Sequence, residues 1–130
     1  MSVELEMVLR LLLAAVLGAI VGFQRQLVGK PAGARTLGLI SVGAATFSVI
    51  SALSFPGGDP SRIAAGVVTG IGFLGAGAIL HRHGGVEGLT TAATIWAAAG
   101  IGLAAGAGLY IIAPAVTVMS LILLILPHKG

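Results

Sequence analysis

The sequence predicts an all-α integral membrane protein with five transmembrane helices and tight packing of glycine-rich and alanine-rich surfaces. Of its 130 residues, 57% are hydrophobic and only 8% are charged, and the mean hydropathy is +1.10. Soluble domains usually carry about 25% charged residues. The few charges also fall in short clusters between long apolar runs. We therefore expect one transmembrane domain over residues 1–130.

The apolar runs define the five helices. A helix must have about 17 to 25 residues to cross a hydrocarbon core of about 30 Å. The uncharged stretch from Gly88 to Pro127 is long enough for two helices, and Gly106-Ala107-Gly108 marks the turn between them. The expected helices cover residues 7–23, 37–54, 63–80, 90–105 and 109–126.

Basic residues predict the orientation, because Lys and Arg are retained on the cytoplasmic side of a membrane. Five of the seven basic residues fall on one side of this topology: Arg25, Lys30, Arg35, Arg82 and Lys129. Arg10 and Arg62 fall on the other side. The N-terminus is therefore expected outside and the C-terminus in the cytoplasm, with the lipid bilayer around the chain.

The glycines raise an alternative, because Gly70 to Gly75 spells the G-x-G-x-x-G pattern of phosphate-binding turns. That site needs a preceding strand and a soluble sheet, whereas this motif lies in an apolar run. Glycines spaced four apart let helix backbones approach closely in lipid. We therefore predict helix packing or an oligomer interface at Gly18, Gly22, Gly66, Gly70, Gly72, Gly75, Gly77, Gly102 and Gly106.

Composition argues against several kinds of site. The net charge of +3 is spread over several loops, so no nucleic-acid surface is expected. The chain has no cysteine, and Asp59 and Glu87 are the only carboxylates between Arg10 and Lys129. Both lie at expected helix ends. We predict no metal site, no cofactor and no catalytic activity.

Polar residues cluster at the helix ends, where several can act as caps. Asp59 or Ser61 is expected to cap the third helix, with Pro60 in its opening turn. Thr36 could cap the second helix, and Thr90 or Thr91 the fourth.

Two further side chains have expected structural roles. Arg10 follows Glu6 by one helical turn, which predicts an i,i+4 pair at the outer interface. Trp96 lies inside the fourth span, where helix packing is the default role for its ring.

A weak internal repeat relates the second and fourth helices. Gly33, Thr36, Ile40 and Ala44 have the same spacing as Gly88, Thr91, Ile95 and Ala99. Both copies would enter the membrane from the cytoplasmic side, which implies a parallel repeat.

Three segments, GARTLGLISVGAATF, DPSRIAAGVVTGIGFLGAGAIL and GVEGLTTAATIWAAAGIGLAAGAG, resemble the membrane domain of the MgtC/SapB family over residues 11 to 125. The resemblance implies a five-span bacterial inner-membrane protein. It further implies a link to growth in low magnesium, to virulence through survival in macrophages, and to restraint of ATP synthase. Residues that match the motifs of the family are the functional candidates that the resemblance implies: Arg25, Arg35, Thr36, Asp59, Arg62, Thr90, Thr91 and Trp96.

The leading hypothesis is therefore a non-enzymatic membrane protein of magnesium homeostasis, acting through membrane partners such as ATP synthase. Its small-residue faces favour a homo-oligomer, most simply a dimer. The alternative is a small oligomeric ion channel or transporter. Because the sequence ends soon after the fifth helix, we expect no C-terminal cytoplasmic domain of the kind found in virulence-type members.

Overall fold

The computed structural model describes residues 2–54, 58–82 and 85–127. Lys129, used in the orientation argument, lies outside these ranges. The described residues form five helices, which confirms the predicted helical fold class. These are α1 (Val3–Leu27), α2 (Ala34–Ser54), α3 (Pro60–Gly77), α4 (Leu89–Gly106) and α5 (Ile112–Ile125), with two short strands, β1 (Leu80–Arg82) and β2 (Gly85–Glu87), between α3 and α4.

Capping side chains and turns explain where several helices begin. α1 starts earlier than expected because the Ser2 hydroxyl accepts a hydrogen bond from the Leu5 amide at 3.1 Å. α3 begins at Pro60, before the expected start at residue 63, and has the predicted N-cap Asp59 with Pro60 in its first turn. α5 starts later than expected, after a turn in which Gly108 has a φ of +82°.

The end of the third helix differs from the prediction of residue 80, because α3 stops at Gly77. The Ala78 amide bonds back to the Gly75 carbonyl at 3.0 Å, and the Ile79 amide bonds to that of Ala76 at 3.1 Å. These i,i+3 bonds close the last turn. β1 and β2 then pair antiparallel, with Leu80 opposite Glu87. No hairpin was predicted from the sequence at this position.

Within the described residues, three helices are long and apolar enough to cross a membrane: Val3–Leu27, Ala34–Leu53 and Leu89–Gly106. Ser61–Gly77 and Ile112–Ile125 are apolar but shorter. At 1.5 Å per residue, the 14 residues of α5 extend about 21 Å. This is less than the hydrocarbon core of about 30 Å.

Helices α1, α2 and α4 form the centre of the bundle through backbone contacts at glycine. A Cβ atom on Gly18 would lie 2.6 Å from the Leu37 carbonyl oxygen, and one on Gly22 would strike the Gly33 carbonyl. Gly18, the earlier glycine, thus lies at Leu37, and Gly22 lies at Gly33, which is earlier in the sequence than Leu37. The helices α1 and α2 therefore run antiparallel.

Two glycines of α4 contact α2 in the same manner. Added Cβ atoms on Gly102 and Gly106 would strike the carbonyl oxygens of Ser41 and Ala45. The order is preserved along both helices, so α2 and α4 run parallel, as the internal repeat implies. The four contacted residues lie four apart, with Gly33 just before α2 and Leu37, Ser41 and Ala45 within it, and they continue one stripe along the helix.

The core of the described residues is built from α1, α2, α4 and α5. Its members are mostly small or β-branched: Ala14, Leu17, Val21, Leu37, Ala45, Ile95, Ala98, Ile101, Ala105 and Ala113. α3 lies outside this cluster and packs against α4 and α2. Among its described side-chain positions, Gly75 alone is buried.

A candidate functional site between the ends of α1 and α4

The candidate site centres on Arg25, a charged residue that is only 4% exposed near the C-terminal end of α1. Its Nη2 donates a hydrogen bond to the hydroxyl of Thr91 in the first turn of α4. Its Nε donates to the carbonyl oxygen of Pro31, at 3.1 Å, in the α1–α2 loop. Burying a charge is costly unless hydrogen bonds compensate it. The Arg25 guanidinium thus connects α1, the α1–α2 loop and α4.

The neighbouring residue Gln26 fixes the start of α2. Its Oε1 accepts a hydrogen bond from the Ala34 amide at 2.6 Å, which satisfies one of the free donors at the helix N-terminus. A Cβ on Gly33 would lie 2.6 Å from this side chain. Gln26 therefore replaces Thr36 as the cap that the sequence analysis expected.

The predicted threonine cap of α4 is also absent. The N-cap residue is Gly88, with a φ of +88° and no capping side chain. A Cβ there would strike the carbonyl oxygen of Ala78, so the close approach of α3 requires glycine. Because α4 begins at Leu89, Thr91 falls inside its first turn and is free to contact Arg25.

A second arginine of α1, Arg10, lies nearer the N-terminal end of that helix and contacts the C-terminal end of α4. Arg10 Nη2 contacts Glu6 Oε2 at 2.5 Å, which confirms the predicted i,i+4 pair. Arg10 also makes two contacts that were not predicted. Its Nη1 donates a hydrogen bond to the Gly106 carbonyl at 3.0 Å, and its Nε donates one to the Tyr110 hydroxyl at 2.9 Å. Arg10 thereby satisfies a free carbonyl at the C-terminus of α4. Arginines at both ends of α1 hold the two ends of α4.

The remaining candidates do not join Arg25 and Thr91. Arg35 and Thr36 are exposed in the first turn of α2, Arg62 is exposed in the first turn of α3, and Thr90 is exposed in α4. Trp96 is 59% exposed on α4, so its ring faces away from the bundle instead of packing between the helices of this chain.

Asp59 is an exposed N-cap with local partners. Its Oδ1 accepts hydrogen bonds from the Ser61 hydroxyl at 2.7 Å and from the Ser61 amide at 2.9 Å. These two bonds, the hydroxyl first, lower the pKa of the Asp59 carboxyl below its ordinary value.

Sequence reasoning missed Gln26, Pro31 and Tyr110 as partners of the site and of the Arg10 cluster. A signal for Gln26 was present, because Gln24-Arg25-Gln26 is a polar group directly after an apolar run. The role of Tyr110 had no such signal, since its contact with Arg10 spans 100 residues.

The glycines of α3 behave differently from those of α1 and α4. A Cβ added to Gly66, Gly70, Gly72 or Gly77 would meet no atom of the described residues within 4 Å, and one on Gly75 would make ordinary contact with Ala92 at 3.6 Å. The glycines of α3 therefore do not pack closely against another helix within the single chain.

Comparisons with known proteins agree on one family. The sequence profile of the MgtC family matches residues 11–129. The chain is 46% identical to the "Putative magnesium transporter YhiD" of Escherichia coli K12, over 95% of this chain and 61% of that protein. It is 51% identical to "Protein MgtC" of Brucella abortus, over 74% of this chain and 40% of that protein.

A third relative, "Protein MgtC" of Salmonella typhimurium, is 46% identical over 88% of this chain and 49% of its own length. The chain thus spans about 40 to 61% of the length of these relatives. No solved structure gives a significant match. The profile match over residues 11–129 and identities of 46 to 51% establish that this chain belongs to the MgtC family.

Proposed function

We propose that this protein is a multi-pass protein of the bacterial inner membrane that serves magnesium homeostasis. The observation that carries the proposal is the 46% identity, over 95% of the chain, to the "Putative magnesium transporter YhiD" of Escherichia coli K12. Three helices long and apolar enough to cross a membrane support the location. All five helices cross the membrane in this proposal, with the N-terminus outside and the C-terminus in the cytoplasm.

The two shorter helices fit this arrangement if neighbours shield their ends or the bilayer thins around them. A span shorter than the hydrocarbon core is accommodated by local thinning or by oligomerisation. α3 favours oligomerisation, because four small residues on its outer face are all exposed: Ala65, Thr69, Gly72 and Ala76. Faces of this kind let helices of two copies pack closely in lipid. We propose a homodimer that pairs through this outer face.

Gly72 offers a direct test of the dimer. Leucine there would project from the outer face without meeting the rest of its own chain, since nothing lies within 4 Å. Gly72→Leu should reduce cross-linked dimer in native membranes. Gly100→Leu on α4, also exposed and open, is the matched control. Dimer at the wild-type level in both variants would exclude this face, and loss of dimer in both would indicate a general effect of leucine.

The proposed mode of action is non-enzymatic and depends on membrane partners, with ATP synthase as the first partner to test. Arg35, Asp59 and Arg62 are exposed at helix ends, where a neighbouring protein could reach them. Adaptation to low magnesium, including during virulence, would follow from control of such a partner. The test is growth in limiting magnesium of a bacterium that lacks its own MgtC-family protein, with and without this chain.

The second candidate function is ion transport by the oligomer, which the name of the Escherichia coli relative favours. Purified chain in liposomes should then carry Mg²⁺ down an imposed gradient, and Arg35→Ala should alter the rate. Folded protein that restores growth in limiting magnesium but carries no Mg²⁺ would favour action through a partner.

A further inference from the structure

An open apolar groove of about 580 Å³ lies between α2 and α3, and we call it the α2–α3 groove. From α2 it is lined by Leu39, Ile40, Gly43, Ala44 and Phe47, and from α3 by Ile63, Gly66, Val67, Gly70, Ile71 and Leu74. Leu39, Phe47 and Leu74 are each at least half exposed. The glycine pair Gly66 and Gly70 thus lines a surface groove instead of packing against another helix of this chain.

The length of the groove suits one hydrocarbon chain of a lipid. From Ile63 to Leu74 it extends about 16 Å, at 1.5 Å per residue. This is close to half of the hydrocarbon core of about 30 Å, the depth of one leaflet.

The two ends of the groove differ in charge. Arg35 lies one turn before Leu39 on the same side of α2, and Lys30 is exposed in the preceding loop. The first turn of α2 contains no acidic residue. At the other end, Arg62 has the Asp59 carboxylate nearby in sequence. Within the described residues, neither arginine forms an ion pair. With Arg82 and Glu87 of the hairpin that follows α3 included, the Arg35 end is net positive in formal charge, whereas Arg62 and Asp59 balance.

We propose that the α2–α3 groove binds one acyl chain of an anionic phospholipid, whose phosphate lies at Arg35. The apolar lining takes the chain, and the uncompensated positive end selects an anionic headgroup over a zwitterionic one. This inference depends on the membrane location proposed above. It assigns Gly66 and Gly70, which line the groove, a role distinct from that of the outer face used for the dimer.

Native mass spectrometry of the full chain, extracted from membranes and released from detergent, tests the assignment. The probes are phosphatidylglycerol and phosphatidylcholine with identical acyl chains, added at equal concentration. Arg35→Gln removes the charge at the proposed phosphate site, and Arg62→Gln is its matched control. Gly43→Leu and Gly70→Leu fill the groove, since nothing lies within 4 Å of either position. Gly100→Leu is the control for these two.

The wild-type chain should retain phosphatidylglycerol at least about fivefold more than phosphatidylcholine, the factor expected for one basic residue at a membrane surface. Arg35→Gln should bring this ratio close to one, and Arg62→Gln should leave it unchanged. The groove-filling variants should lose both lipids, while Gly100→Leu retains them. Lipid retention that is equal in all variants would overturn the proposal.

Two further outcomes have separate meanings. If Gly70→Leu abolishes dimer but leaves lipid retention unchanged, a second copy occupies the groove and the lipid assignment is wrong. Recovery of the wild-type chain in the soluble fraction would contradict the membrane location itself. A membrane-bound chain without lipid selectivity would contradict only the groove assignment.

Discussion

The buried guanidinium of Arg25 on α1 donates a hydrogen bond to the hydroxyl of Thr91 on α4. The two residues are 66 positions apart in the sequence. Since Arg25 also bonds the Pro31 carbonyl, this contact joins the α1–α2 loop to the start of α4. The pair therefore stabilises one end of the bundle centre formed by α1, α2 and α4. Its removal should lower the free energy of unfolding.

Thr91→Val tests that contact by removing the hydroxyl while nearly preserving the shape of the side chain. A hydrogen bond to a charged group contributes about 1.5 to 3 kcal/mol, so the free energy of unfolding in detergent should fall by about that amount. Thr90→Val is the matched control, because Thr90 is exposed and should change stability by less than about 0.5 kcal/mol. Equal effects of the two substitutions would show that the Arg25 contact contributes nothing measurable.

Gly102→Ala tests the backbone contact between α4 and α2. The added methyl would strike the Ser41 carbonyl, and overpacking of this kind costs about 1 to 3 kcal/mol. Gly100→Ala, two residues earlier on the same helix, places its methyl in open space. It should be neutral or stabilising by up to about 1 kcal/mol, through helix propensity alone. Thermal unfolding of the two variants in one detergent gives the comparison, and a Gly102→Ala chain as stable as wild type would refute the contact.

Asp59 makes the N-terminus of α3 sensitive to acid. Its pKa is lowered in the folded chain, so its contribution to stability is present above the pKa of an unfolded aspartate, about 3.9. That contribution is lost as the pH falls through the lower folded value. Asp59→Asn keeps a capping side chain without the titration. Amide exchange in the first turn of α3 should therefore accelerate below about pH 4 in wild type relative to Asp59→Asn. Parallel pH profiles would contradict this role.

The absence of cysteine from the sequence permits a clean test of the proposed orientation. Ser2→Cys precedes α1 and Lys30→Cys lies in the loop after it, and both positions are exposed. In intact cells, a membrane-impermeant maleimide should label Ser2→Cys, and Lys30→Cys should react only after the membrane is opened. The reverse pattern would invert the topology, and labelling of both in intact cells would exclude a span between them.

Much of the helical fold could be predicted from apolar runs and charges, whereas the tertiary contacts could not. The pair Gly18 and Gly22 and the pair Gly66 and Gly70 have the same spacing. The first packs against α2, and the second lines an open groove. A small-residue spacing permits close approach of a backbone, but the neighbour that approaches is decided by the arrangement of all the helices.

The candidate site shows the same limit. Arg25 and Thr91 were both selected from motifs, yet their contact depends on the antiparallel packing of α1 against α2 and the parallel packing of α2 with α4. Thr36 has the matching position in the internal repeat but is exposed. The burial of Thr91 and the exposure of Thr36 could not be inferred from spacing, because burial depends on which helices cover each copy of the repeat.

Growth in limiting magnesium tests the central claim most directly. A bacterium that lacks its own MgtC-family protein would express this chain or an empty vector, with membrane accumulation measured in parallel. The account predicts that the chain restores growth when magnesium is limiting and makes no difference when magnesium is abundant. Membrane-inserted chain that leaves growth equal to the empty vector at limiting magnesium would contradict a role in magnesium homeostasis.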